Sequence, residues 1–82
     1  MEATVFSTSE CLWCNRVARM LEESEIEVTK VDVAESVENF DKMQDYAGQD
    51  VRSVPQVVID DKFIGGYTET ERFLNRYYGP IR

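Results

Sequence analysis

The stretch that most constrains this chain runs from Thr4-Val5-Phe6 into Cys11-Leu12-Trp13-Cys14. Thr4-Val5-Phe6 reads as a buried strand bounded by the turn formers Ser7 to Ser9. After Cys11 the period changes. Val17, Met20 and Leu21 recur at helical spacing, leaving Arg16, Arg19, Glu22 and Glu23 for the wet face. Glu27 to Val33 then alternates, with Val28, Val31 and Val33 as its apolar members, and reads as a second strand. The expected unit is therefore strand–helix–strand with a right-handed parallel crossover.

This arrangement puts Cys11 at a helix N-terminus and Cys14 about one turn further in. Unpaired backbone N–H groups and the helix dipole favour a thiolate over a thiol there. Two sulfurs on one turn can also close a small disulfide. Three plainer readings stand beside redox exchange. A zinc site needs four ligands, and with no His and no other Cys the chain would have to supply carboxylates. Two inert core cysteines are a second option. A structural staple is the third, but closing so small a loop removes little unfolded-chain entropy. The spacing and placement favour sulfur redox chemistry.

Eighty-two residues with 43% hydrophobic content suit one domain over 1–82, near the lower end of what a single core can hold together. Met1-Glu2-Ala3-Thr4 lacks the basic start and apolar run of a secretory signal, and no apolar stretch approaches the length of a membrane span. One close cysteine pair without a scaffold of bridges suggests a reducing, cytoplasmic home. A net charge of −7 argues against nucleic acid or an anionic membrane as partner. An anionic substrate would then need local positive charge, which draws attention to Arg16, Arg52 and Lys62.

Further along, Ser36 is placed to cap a second helix, with Val37, Phe40, Met43 and Ala47 on its apolar side and Gly48 as its stop. A polar loop, Gln49 to Arg52, leads into Ser53-Val54-Pro55. Val57-Val58-Ile59 is a strand, Asp60-Asp61 a turn, and Lys62-Phe63-Ile64 the return arm of a hairpin. Gly65-Gly66 ends that arm. Thr68 and Glu71 have capping-box spacing for a last helix whose apolar stripe is Phe73, Leu74 and Tyr77, ending at Gly79-Pro80. The order suits an α/β fold, a four-stranded mixed sheet with helices on both faces.

Cys-x-x-Cys after the first strand, Ser-Val-Pro before the third and Gly-Gly before the last helix together make the chain resemble a glutaredoxin of the short dithiol type found in bacteria and phages. The resemblance implies a thioredoxin-like fold with three helices, sheet order 2-1-3-4 and an antiparallel last strand pair. It implies Cys11 as nucleophile, Cys14 as resolving thiol, and glutathione as co-substrate. Carried over position by position, it implies a cis Val54-Pro55 peptide and a glutathione site formed by Trp13, Arg52, Ser53, Val54, Pro55, Gly66, Tyr67 and Thr68. Val54 would pair with glutathione as an added strand, Gly66-Tyr67-Thr68 would hold its γ-glutamyl end, and Arg52 its glycine carboxylate. The Thr68 hydroxyl could instead be used as a helix cap.

Several positions depart from the family pattern. Cys-Pro-Tyr-Cys is Cys-Leu-Trp-Cys here, the lysine common three residues before the first Cys is Thr8, and Glu10 precedes Cys11. The last two changes weaken electrostatic support for a thiolate. The leading expectation is a monomeric, metal-free, glutathione-dependent oxidoreductase acting on disulfide-bearing proteins, ribonucleotide reductase among the candidates. One alternative is a redoxin recharged by thioredoxin reductase, whose usual Trp-Ser-Gly-Phe-type segment is Ile64-Gly65-Gly66-Tyr67 here. The other is a carrier of a glutathione-ligated [2Fe–2S] cluster. Leu12 in place of proline permits that role, while Trp13 and Cys14 argue against it.

Overall fold

The first strand, β1 (Glu2–Ser7), lies inside the sheet and is paired on both sides in a computed structural model that describes residues 1–78, the Tyr78 side chain excepted. The elements that follow are α1 (Leu12–Glu23), β2 (Glu27–Asp32), α2 (Val37–Ala47), β3 (Gln56–Ile59), β4 (Lys62–Gly65) and α3 (Tyr67–Tyr78). The Gly79-Pro80 stop expected for α3 lies outside the described residues. The sheet order is β2-β1-β3-β4, with β2 parallel to β1 and the other two pairs antiparallel. This is the thioredoxin-like arrangement that the three motifs implied.

β1 is longer than the sequence suggested, because β2 pairs with it residue for residue from Glu2↔Glu27 to Ser7↔Asp32. Ser7 was expected in the turn. It is instead a buried strand residue whose carbonyl accepts the Val33 N–H at 2.9 Å. At the other end of the strand, Asp60 ties the hairpin to Glu2. Its N–H donates to the Glu2 carbonyl at 2.9 Å, and its Oδ1 accepts the Glu2 N–H at 3.0 Å. Asp60 and Asp61 both have positive φ, 49° and 68°, as a two-residue hairpin turn with right-handed strand twist requires.

Alternation along the strands divides the core in two. Ala3, Val5, Val57 and Ile59 pack with Val17 and Leu21 of α1 and Leu74 of α3 on one face. On the other, Phe6 and Val58 pack with Met43 of α2. The two valines of β2 and the one just after it are shared out, Val28 to the first face and Val31 with Val33 to the second. Each fully buried side chain of this size contributes about 1.5–3 kcal/mol. Two helical positions read as apolar stripe are not core. Val37 is 74% exposed because it is the first residue after the Ser36 cap, and Tyr77 is 61% exposed, its ring stacked on Phe73. Ser36 caps α2 as expected, its Oγ accepting the Asn39 N–H, and Gly48 ends it at φ 111°.

Candidate active site

β1 delivers the chain to the start of α1, where Cys11 is the N-cap in extended conformation (φ −101°, ψ 107°). Its Sγ takes the place of a serine hydroxyl, accepting the Cys14 N–H at 3.0 Å. The two sulfurs are joined in a disulfide, with Cα atoms 5.1 Å apart. They differ in access. Cys11 is partly exposed, whereas Cys14 is 1% exposed on the core side of α1.

Trp13 and Leu12, the residues between the cysteines, are both exposed. The Trp13 ring meets the edge of Tyr67 at 5.0 Å between centroids, and the Arg16 guanidinium lies 4.9 Å over the Trp13 ring. Such a cation–π contact at a surface is worth about 0.5–1 kcal/mol. Arg16 and Tyr67 thus both contact Trp13, and the ring pair joins the first turn of α1 to the first turn of α3.

The Val54–Pro55 peptide is cis. The loop before it is pinned by Gln56, whose Nε2 donates to the Ser53 carbonyl at 3.0 Å and to the Ser53 Oγ at 3.3 Å. Upstream, Gln44 Nε2 donates to the Gln49 carbonyl at 2.8 Å and the Val51 carbonyl at 3.3 Å. Arg52 is exposed between these two anchored segments.

Between this loop and α3 lies an open groove of about 490 Å³. Ser53, Val54, Pro55, Gly66 and Tyr67 line it, together with Gln56, Phe63, Ile64, Gly65 and Glu69. The structure therefore gathers five of the eight expected glutathione-site residues on one groove and puts Trp13 against Tyr67 at its rim. Thr68 and Arg52 are not among the lining residues. Each is exposed and one residue along the chain from one that is. A second concavity of about 360 Å³, lined by Glu2, Thr4, Tyr46, Val58, Asp60 and Asp61, lies at the opposite end of β1 and is acidic. Among the described residues no three His, Cys, Asp or Glu side chains converge as a metal-holding group.

The capping of α3 differs from the sequence expectation. The helix begins at Tyr67, so Thr68 lies within its first turn and Gly66 precedes it. Glu69, three residues after Gly66, accepts the Gly66 N–H at 2.9 Å through Oε1, and the Thr70 N–H reaches the Gly66 carbonyl at 3.0 Å. The box is Gly66 with Glu69, not Thr68 with Glu71. Both pairs have the same spacing, and the hydroxyl at Thr68 made the wrong one look better. Glu69 and its groove position were therefore missed, although Gly66-x-x-Glu69 was there to be read. Gly65 is fixed by the same carboxylate stem: its φ is 128°, and a Cβ would stand 2.8 Å from the Glu69 Cβ.

A disulfide spanning a helix cap and first turn, on a thioredoxin-like sheet beside a cis-proline loop, defines a thiol–disulfide oxidoreductase. A model of the glutaredoxin domain matches residues 3–64, and the chain belongs to the glutaredoxin family. It is 33% identical over 75 residues to glutaredoxin 1 of Escherichia coli strain K12, covering 84% of this chain and 87% of that one. A glutaredoxin of Haemophilus influenzae is 31% identical over 87 residues and 99% of both chains. The solution structure of reduced E. coli glutaredoxin superposes with a TM-score of 0.80 at 26% identity, over 95% of this chain and 98% of that one.

Proposed function

We propose that this glutaredoxin uses glutathione, reducing protein disulfides with both cysteines and glutathione mixed disulfides with Cys11 alone. The groove beside the disulfide carries this reading. One bank is Ser53-Val54-Pro55, the other is the N-terminus of α3 at Gly66 and Tyr67, and the Trp13–Tyr67 pair stands at the cysteine end. An extended tripeptide with a carboxylate at each end suits such a channel. The Val54 backbone offers strand-like pairing and the first turn of α3 offers N–H donors to the γ-glutamyl carboxylate. The Thr68 hydroxyl is available there because it does not cap the helix. Arg52, beyond Ser53, is the cation for the glycine carboxylate.

In this mechanism the Cys11 thiolate attacks one substrate sulfur, forms a mixed disulfide and releases the other sulfur as a thiolate. On a protein substrate, the Cys14 thiolate then attacks the Cys11 sulfur, releases the second substrate thiolate and leaves the Cys11–Cys14 disulfide. The partial exposure of Cys11 and the burial of Cys14 support these roles. Two glutathione thiols restore the dithiol, giving up two electrons as they become glutathione disulfide.

The test is turnover on a glutathione mixed disulfide coupled in parallel to glutathione with glutathione reductase and to thioredoxin reductase. We expect turnover in the first system and little in the second. Turnover with thioredoxin reductase alone would assign the protein to the redoxin alternative.

A further inference from the structure

Thr70 lies in the second turn of α3, is 0% exposed, and its Oγ1 is the buried side-chain polar atom left without a hydrogen-bond partner among the described residues. Its backbone is satisfied, since its N–H donates to the Gly66 carbonyl at 3.0 Å. A buried hydroxyl without a partner is unfavourable, and valine would fill the same volume without that cost. The neighbours across the helix pair indicate what the hydroxyl is for.

Helices α1 and α3 lie side by side and start together. Trp13 meets Tyr67 at their first turns, Val17 and Leu21 share a core cluster with Leu74, and Met20 and Glu23 face Glu71, Leu74 and Asn75 further on. Cys14 falls between Trp13 and Val17 on α1, and Thr70 falls between Tyr67 and Leu74 on α3. Cys14, at 1% exposure, is as buried as Thr70. Both lie within about one turn of the Trp13–Tyr67 contact on these paired helices, and in the disulfide form the Cys14 sulfur is committed to Cys11.

We propose that Thr70 is a positioning residue for Cys14, its hydroxyl hydrogen-bonding the Cys14 sulfur once the disulfide is reduced. Reduction adds two electrons and two protons, breaks the S–S bond and creates two thiols. Dithiothreitol supplies both electrons and both protons by closing its own ring disulfide. A disulfide sulfur is a poor partner, whereas a thiol can donate to the hydroxyl oxygen and a thiolate can accept its proton. Thr70 therefore favours the dithiol over the disulfide and raises the reduction potential of the pair. This rests on the sulfur chemistry alone and not on the choice of glutathione.

The experiment equilibrates wild type, Thr70→Val, Thr70→Ala and Thr70→Ser with dithiothreitol mixtures of fixed ratio and counts thiols by trapping. Thr70→Val and Thr70→Ala should move the equilibrium constant three- to tenfold toward the disulfide. That is about 15–30 mV more reducing at about 30 mV per tenfold. Thr70→Ser should stay within twofold of wild type. Thermal midpoints give an independent reading, with Thr70→Val raising that of the oxidised protein more than that of the reduced one. Equilibrium constants for Thr70→Val and Thr70→Ala within twofold of wild type would overturn the proposal. So would a serine variant that shifts as far as valine, or midpoints that move equally in both redox states.

Discussion

Helices α1 and α3 start side by side, Trp13 against Tyr67, yet their first turns are closed in opposite ways. At α1 the cap is a side chain, the Cys11 sulfur, which accepts an N–H from within the helix. At α3 the cap residue, Gly66, has no side chain, and the closing group comes from inside the helix, where Glu69 turns back to the Gly66 N–H. The first arrangement puts a reactive atom where the helix dipole is concentrated. The second leaves the front of the helix bare, open to a ligand that approaches the backbone. One electrostatic device thus serves reaction at one helix and, in the reading proposed above, binding at the other.

The largest effect comes from removing the reactive cap while keeping the capping. In Cys11→Ser a hydroxyl replaces the sulfur, and serine is among the best N-caps, so α1 should stay intact. Turnover on protein disulfides and on glutathione mixed disulfides should nonetheless fall to background, with a far-UV spectrum like wild type. Cys14→Ser should lose only the protein-disulfide reaction, because a second glutathione can release the Cys11 mixed disulfide. An active Cys11→Ser beside a Cys14→Ser dead on every substrate would reverse the two roles.

The bare cap at α3 depends on a backbone shape that only glycine adopts easily. Gly65→Ala forces a side chain onto φ 128° and drives its Cβ into the stem of Glu69. Backbone strain of this kind costs about 1–3 kcal/mol before the collision is counted. Denaturant unfolding should show at least that loss, and the same variant should weaken glutathione-dependent turnover by displacing Glu69. A loss below 0.5 kcal/mol, within the usual range for surface substitutions, would mean that the hairpin end relaxes freely.

The two helix starts were not equally legible in the sequence. For α1, an apolar strand, polar turn residues and a change to helical period pin the boundary within a residue, and Cys11 falls on the cap. For α3, Gly66/Glu69 and Thr68/Glu71 have identical spacing, so local pattern could not choose between them. The sheet chooses, because β4 pairs Gly65 with Val57 across an irregular register and the chain turns directly into the helix at Gly66. That is a tertiary constraint. That helices would cover both faces of the sheet was readable from the order of elements, whereas the anchoring of the proline loop by Gln56 was not, since glutamine has no positional signature. The sheet order came from the family pattern rather than from periodicity.

The cap assignment can be sharpened by comparing two carboxylates. Glu69→Ala removes the group that closes α3 and should lower stability by about 0.3–1.5 kcal/mol. Glu71→Ala, an exposed position, should stay within about 0.5 kcal/mol of wild type. Equal losses in the two variants would restore Thr68/Glu71 as the working box.

The smallest effect is expected where neither helix supplies the charge. In the reading proposed above, glutathione brings two carboxylates to a chain of net charge −7, so its binding would rest on local donors rather than on the overall field. On that reading the start of α3 would provide N–H groups for one carboxylate. For the other, the nearest cation in sequence to the groove loop is Arg52, exposed and next to Ser53. An exposed ion pair is worth about 0.2–1 kcal/mol, more when bidentate and partly sheltered. Arg52→Ala should therefore raise KM for the glutathione-bearing substrate several-fold and leave kcat nearly unchanged, as expected when ground state and transition state lose the same contact. Because screening acts on that pair, added salt should raise KM more for wild type than for Arg52→Ala. If the variant keeps both the wild-type KM and the wild-type salt response, the first turn of α3 holds glutathione without help from Arg52. The contrast between the two helix starts would then account for the whole site.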